Sequence, residues 1–280
     1  MPTCLLCSSS DTNFYACKNG YKIFRCVACR LLFVSPMPDS TATLYDASYF
    51  GDGDGGFGYV NYDEDKESQK GALQNVLRAI ERHTAKGKLL DVGAATGTFV
   101  AIAKDEGWRA EGVEIGETAV DTAVSHGIPV RHGTLATISS LGHFDVITYL
   151  DVFEHLRDPR TELQEIHKRL VGDGLLVLLV PNAGGLLARL MGRWWYHFTP
   201  PEHLVWYSRE NISKFLSQEN FRVVTIDVIS KHYTLSYCLL TFARMISARP
   251  YLAKKLARLM PNFSLSVPGT ANLFVIARKQ

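Results

Sequence analysis

The chain has 280 residues, of which 46% are hydrophobic and 21% charged, with a formal net charge of +2. That length covers one full α/β domain plus a small module, with enough apolar residues for an ordinary core. The balanced charge gives no ground for a nucleic-acid partner. With no apolar run long enough to span a bilayer and no signal-peptide segment at the start, a cytoplasmic protein is expected.

Four of the six cysteines fall in two C-x-x-C pairs, Cys4-Leu-Leu-Cys7 and Cys26-Val-Ala-Cys29. Each pair turns tightly enough to give two thiolates to one ion, and a closed four-sulfur shell suits structural zinc rather than a disulfide framework. Residues 1–36 are therefore expected to form a zinc ribbon, with Cys17 and Cys238 left as simple thiols. Residues 37–85 follow as linker or lid plus a first helix. Ser35-Pro-Met-Pro38 stops regular structure. Tyr45, Tyr49, Phe50, the glycine- and aspartate-rich run 51–58, Tyr59 and Tyr62 then make either a solvated connector or a lid that closes over a ligand. Leu73, Val76, Leu77 and Ile80 repeat at helical spacing and predict an amphipathic helix over 70–83.

From residue 86 to 280 the pattern alternates. Strands are expected at 88–92, 109–114, 129–132, 144–150, 174–180, 221–229 and 271–278, and helices at 97–106, 117–126, 160–170 and 209–218. This predicts a doubly wound, Rossmann-like sheet of seven strands, interrupted by insertions at 183–208 and 233–263. Ligand should lie beyond the carboxyl end of the first strand. That strand runs into Asp91, Gly93, Ala94 and Gly97 within LLDVGAATGTFV, a turn of small residues that opens a helix and offers free backbone N–H groups. Glu114 ends the second strand, where a carboxylate accepts hydrogen bonds from both hydroxyls of a ribose. Ile115 follows it. The third strand leads into Gly133-Thr134-Leu135, and the fourth into FDVITYLDVFEHLRDP, residues 144–159.

The D-x-G-x-x-x-G loop, Glu114 and the Asp151–Pro159 motif together resemble class I S-adenosylmethionine-dependent methyltransferases of the small-molecule branch. The resemblance implies that Asp91, Gly93, Ala94, Gly97, Glu114 and Ile115 hold S-adenosylmethionine. Leu135 or the backbone beside it would cover the adenine where relatives often carry an acidic residue (here Thr134), and Leu150 would offer its backbone to the methionine part. His155 would stand near the methyl group, and in the lid reading Tyr49, Tyr59 and Tyr62 close over the cofactor. Tyr196-His-Phe-Thr-Pro-Pro-Glu202-His203-Leu, followed by Trp206-Tyr-Ser208, lies between the fifth strand and the next helix, where the family builds its acceptor pocket.

With the ribbon, this loop is similar to zinc-ribbon-bearing C- and O-methyltransferases of sugar and secondary metabolism, in some of which a Glu-His pair supplies the base. Carried over, Glu202 orients His203 as general base, with His155 as second candidate. The expected reaction is in-line transfer of the methyl group to a hydroxyl or carbon of a sugar, glycan or secondary metabolite. One rival is an RNA base methyltransferase with a zinc ribbon, against which stand the few basic ribbon residues (Lys18, Lys22, Arg25, Arg30) and the lack of an Asn-Pro-Pro-Tyr-type motif. Another is a non-catalytic scaffold, against which stand the intact Asp91, Gly93, Gly97 and Glu114. The aromatics of 183–208 suit either core or acceptor pocket. The basic, apolar stretch 233–263 suits a solvated face, or contact with an acidic or phosphorylated substrate, a membrane surface or a lipid-linked substrate.

Overall fold

The computed structural model describes residues 1–38, 62–138, 142–229, 232–234, 264–266 and 272–280, with the backbone path alone at 62–69, 232–234 and 264–266. Tyr45, Tyr49, Tyr59 and the basic stretch 235–263 lie outside the described residues, and Tyr62 enters only as the first backbone position of a helix.

Three strands open the chain: β1 (Thr12–Lys18), β2 (Tyr21–Cys26) and β3 (Leu32–Val34). Helix α1 (Tyr62–Glu81) then leads into β4 (Lys88–Val92), α2 (Thr98–Asp105), β5 (Arg109–Glu114), α3 (Glu117–Ser125), β6 (Val130–His132) and β7 (Phe144–Leu150). After these come α4 (Pro159–Arg169), β8 (Leu170–Pro181), the short α5 (Leu186–Met191), β9 (Val205–Trp206), α6 (Arg209–Gln218), β10 (Phe221–Ile229), β11 (His232–Thr234), β12 (Ser264–Ser266) and β13 (Asn272–Lys279). The main sheet has seven strands in the order β10-β13-β8-β7-β4-β5-β6. Within it β13 runs antiparallel to both β8 and β10, while β4, β5, β6, β7 and β8 are parallel. The expected seven-stranded α/β sheet is present, each strand within a few residues of its predicted place.

The sheet is covered on both faces, which is why Leu175 to Val180 reads as one unbroken apolar run. Val76, Leu77 and Ile80 of α1 pack with α2 and α3 on one face. On the other, Leu163 and Ile166 of α4 and Ile212, Phe215 and Leu216 of α6 pack against Leu90, Ile147 and Leu178. Strand β8 begins four residues earlier than predicted. Gly172-Asp-Gly174 looks like a turn in sequence, but the strand absorbs it as an irregularity, with Asp173 at φ 69° and a register shift against β7.

The N-terminal module is not set apart from the rest. Its sheet has the order β1-β2-β3-β9, so its fourth strand comes from the 183–208 segment. Leu32 pairs with Trp206 and Phe33 with Val205, and Val34 N–H donates to Leu204 O at 2.9 Å. Asn19 Nδ2 reaches Pro200 O at 2.8 Å, and Arg160 Nη2 reaches Leu6 O at 2.6 Å. Leu6, Ile23 and Phe33 share one hydrophobic cluster with Trp206, Phe215 and Leu178. Trp195 and Trp206 are thus core, and Trp206 meets Phe198 at a ring separation of 4.9 Å.

Candidate active site

Strand β4 ends at Val92, and the chain turns through Gly93 (φ 73°), Ala95 (φ 47°) and Gly97 (φ 81°) before α2 begins. Three left-handed residues in five turn the chain from the carboxyl end of β4 into α2, which begins with no side-chain cap on its first N–H groups. Glu114, at the end of β5, is 5% exposed. Its Oε1 accepts from Ile115 N–H and Gly116 N–H, both at 2.8 Å, and its Oε2 accepts from Ala95 N–H at 2.9 Å. Three backbone donors fix the carboxylate beside the loop and fill both lone pairs of Oε1 and one of Oε2, which leaves Oε2 free to accept one further hydrogen bond. The rim therefore suits a ribose hydroxyl of an adenosine-bearing cofactor.

Asp91 is buried, and its Oδ1 accepts from Thr148 Oγ1 at 2.6 Å. Burial pushes its carboxyl up from 3.8 to about 7, with the charge of Glu114 adding to the shift and the Thr148 bond opposing it. Ala94 is buried under the loop. Ile115 is 39% exposed and presents an apolar side chain at the rim, whereas Leu135 is wholly buried in the core, so its side chain is not at the surface. Leu150 is half-buried at the end of β7.

The chain beyond β7 turns at Asp151 (φ 57°), held by Asn272 Nδ2 donating to its Oδ1 at 2.7 Å. A single turn, Phe153–His155, follows, and then α4 starts. Asp158 caps α4 by accepting from Thr161 N–H and Oγ1, with Pro159 at the first helical position, which is the local reason for the Asp-Pro pair. Val152 in this turn touches the glycine loop: a Cβ on Gly93 would stand 2.4 Å from Val152 Cγ2.

Three side chains converge here. Ligand atoms of Glu154, His155 and His203 all lie within 4.8 Å of one another. Glu154 is 1% exposed, with its Oε1 3.9 Å from His155 Nε2. The two imidazole rings meet edge to face at 4.8 Å. Each ring is oriented by a carbonyl, which can only accept, so Nδ1 carries the proton: His155 Nδ1 to Glu202 O at 2.9 Å and His203 Nδ1 to His197 O at 3.0 Å. Burial lowers the His155 pKa to about 4, outweighing the Glu202 carbonyl and the charge of Asp151, so this imidazole is neutral at pH 7. The Tyr207 hydroxyl is buried with no hydrogen-bond partner among the described residues, and burial together with the charge of Glu154 raises its pKa well above the usual phenol value.

The structure brings His155 and His203 together. Glu202 enters this geometry through its backbone carbonyl on His155. The carboxylate that faces both rings is Glu154, which sequence reasoning passed over in favour of its neighbour; its place beside His155 in the Asp151–Pro159 motif was the available signal.

The four cysteines also come together. Their sulfurs lie within 4.8 Å of one another, with Cys4 to Cys29 and Cys7 to Cys26 at 3.5 Å. A tetrahedron of Zn–S bonds about 2.3 Å long has edges of about 3.8 Å, so the cluster fits such an ion. The Cys29 sulfur beside Cys4 draws the Cys4 pKa down from 9.0 to about 5 against the effect of burial.

A family model described as a methyltransferase domain matches residues 62–226, more than half of the chain. The chain belongs to that family. It is a class I S-adenosylmethionine-dependent methyltransferase. A curated relative, the ubiquinone biosynthesis O-methyltransferase of Pseudomonas aeruginosa (strain UCBPP-PA14), is 24% identical over 171 residues, 53% of this chain and 72% of the relative. Among solved structures, a protein from Bacillus halodurans C-125 aligns with TM-score 0.54 at 16% identity, covering 75% of this chain and 99% of that one. Magnesium protoporphyrin IX methyltransferase from Synechocystis with bound S-adenosylhomocysteine aligns at TM-score 0.52 and 14% identity, covering 80% and 90%. An S-adenosylmethionine-dependent methyltransferase from Archaeoglobus fulgidus gives 0.52 at 20% identity, covering 78% and 98%. At these identities the structural likeness shows the fold. Among the described residues no helix is long and apolar enough to cross a membrane.

Proposed function

We propose that the methyltransferase domain acts on a small-molecule acceptor, a hydroxyl or acidic carbon of a sugar, glycan or secondary metabolite, which sits over the Glu154–His155–His203 cluster. S-adenosylmethionine supplies an activated sulfonium methyl group. The loop from Gly93 to Gly97 receives the cofactor and Glu114 holds its ribose, with Ile115 as an apolar wall. The observation that carries the acceptor reading is the meeting of two carbonyl-oriented imidazoles and a buried carboxylate next to Val152, which itself touches the glycine loop. His203 takes the acceptor's proton as the methyl group transfers, and Glu154 stabilises the imidazolium that results. His155, made a weak base by burial, orients rather than abstracts. The curated relative's name, an O-methyltransferase of ubiquinone biosynthesis, agrees with a small-molecule acceptor.

The four cysteines hold structural zinc in this reading, and the metal sets the shape of the ribbon. Residues 1–36 then act as a clamp on the acceptor loop through β3 and β9 rather than as an independent domain.

The test is His203→Ala, read as S-adenosylhomocysteine formed against a panel of hydroxylated and enolisable acceptors. Loss of a positioned base costs about 10²–10⁴ in turnover. A variant that kept full turnover and normal cofactor affinity would remove His203 from the base role.

A further inference from the structure

The segment that carries the candidate acceptor loop also carries an unusual surface. From Gly174 to Pro201 the sequence holds no acidic residue, and its formal cations are Arg189 and Arg193. Within it, Leu186 is 67% exposed, Leu190 75% and Trp194 54%, whereas Ala188 between them is buried against the domain. The three large side chains recur at four-residue steps along α5 and the turn that follows it. Arg193 stands over the Trp194 ring at 5.5 Å, and Lys18 of β1 stands over it at 4.7 Å. Two leucines and a tryptophan held in water, rimmed by three cations and no carboxylate of their own segment, do not fit an ordinary solvated face.

From this we infer that α5 and Trp194 form an interfacial docking surface for an anionic lipid membrane. The apolar side chains enter the headgroup boundary, the indole sits at that level, and Lys18, Arg189 and Arg193 meet the lipid phosphates. Charge decides between occupants: a second copy of this face would set like charges against each other, whereas an anionic bilayer complements them. The segment leaves the carboxyl end of β8 and returns through His197 to His203, so a docked chain opens its acceptor site towards the lipid. An amphiphilic or lipid-linked acceptor follows from that placement. This last step rests on the small-molecule reading above, whereas membrane docking does not.

Of the four tryptophans, Trp108, Trp195 and Trp206 are each below 5% exposed, so Trp194 dominates any solvent-dependent change in fluorescence. The full chain is titrated with vesicles of phosphatidylcholine alone and of phosphatidylcholine with phosphatidylglycerol, reading the emission maximum and co-sedimentation. The expected result is a blue shift and sedimentation with the anionic vesicles only, weakening as salt is raised. Each arginine removed in Arg189→Gln and Arg193→Gln should lower the partition coefficient by about fivefold. Leu186→Glu/Leu190→Glu should abolish sedimentation while S-adenosylhomocysteine affinity stays at the wild-type value, which separates loss of docking from loss of fold or of cofactor site. The inference is overturned by absence of binding to anionic vesicles, by binding the double variant retains, or by equal binding to neutral vesicles. A stable dimer in light scattering that the double variant dissociates would equally overturn it, assigning the face to a second copy.

Discussion

Replacing Gly93 by alanine probes the contact between the proposed cofactor loop and the turn that carries His155. The backbone at Gly93 has φ 73°, a conformation that costs an L-residue about 1–2 kcal/mol. The new Cβ would also lie 2.4 Å from Val152 Cγ2 and 3.2 Å from Cγ1, so Val152 has to move. Overpacking of this kind costs about 1–3 kcal/mol, for a total of about 2–5 kcal/mol. Gly107→Ala serves as the control, because φ is 91° there and nothing lies within 4 Å of the added carbon. It should lose only the backbone share of stability and leave S-adenosylhomocysteine affinity untouched. Gly93→Ala should lower both, with affinity falling about tenfold or more if even 1.4 kcal/mol of the strain is borne by the cofactor site. Adding Val152→Ala should return part of the affinity. Thermal unfolding and titration calorimetry read the two effects separately. A Gly93→Ala chain as stable and as tight-binding as wild type, or a double variant with no recovery, would refute the contact argument.

Removing the proposed metal with a strong chelator should abolish acceptor turnover and alter the near-ultraviolet circular dichroism of Trp195 and Trp206, while S-adenosylhomocysteine affinity changes little; unchanged dichroism after metal release would sever the ribbon from the acceptor loop. Arg160 donates to Leu6 O, pairs with Glu219 and stands over the Phe215 ring at 5.3 Å. Because that pair is partly exposed, Arg160→Ala should cost only about 1–2 kcal/mol in thermal unfolding, and it should speed metal loss to chelator. Asp91 gives a pH signature. Its folded pKa of about 7 lies above the unfolded value, so the folded chain holds a proton that the unfolded chain has released between roughly pH 4 and pH 7. Its contribution to stability therefore falls as pH rises through that window and levels off above it, an effect on the order of 4 kcal/mol for a fully buried carboxyl. Cofactor-free wild type should lose stability relative to Asp91→Asn between pH 5 and pH 8; a flat difference would contradict the burial argument.

The strands and the glycine loop were legible because their signals are local. A run such as Leu89-Leu-Asp-Val92 followed by small residues specifies strand, turn and helix within a dozen positions, and Glu114 then needs only to end the neighbouring strand. The partnership of β3 with β9 was not legible: two residues, Val205 and Trp206, carry no strand pattern of their own, and they pair with a segment from the other end of the chain. For the same reason Trp195 and Trp206 looked as suited to an acceptor pocket as to the core they occupy. Leu135 fits an adenine cover by position, but its burial depends on packing that no local pattern records. Glu154 was hidden differently. A carboxylate next to a histidine reads as surface until the fold buries it, and the carbonyls of His197 and Glu202 that aim the two rings have no side-chain signature at all.

Titration of the purified chain with S-adenosylhomocysteine, beside Glu114→Gln, decides whether the Gly93–Gly97 loop and Glu114 hold the cofactor. One binding site per chain is expected. The substitution keeps the side chain's size but gives up an oxygen that accepts from Ala95 or from Ile115 and Gly116, so affinity should fall about 10- to 100-fold. No binding to the wild type, or equal affinity in the variant, would contradict it.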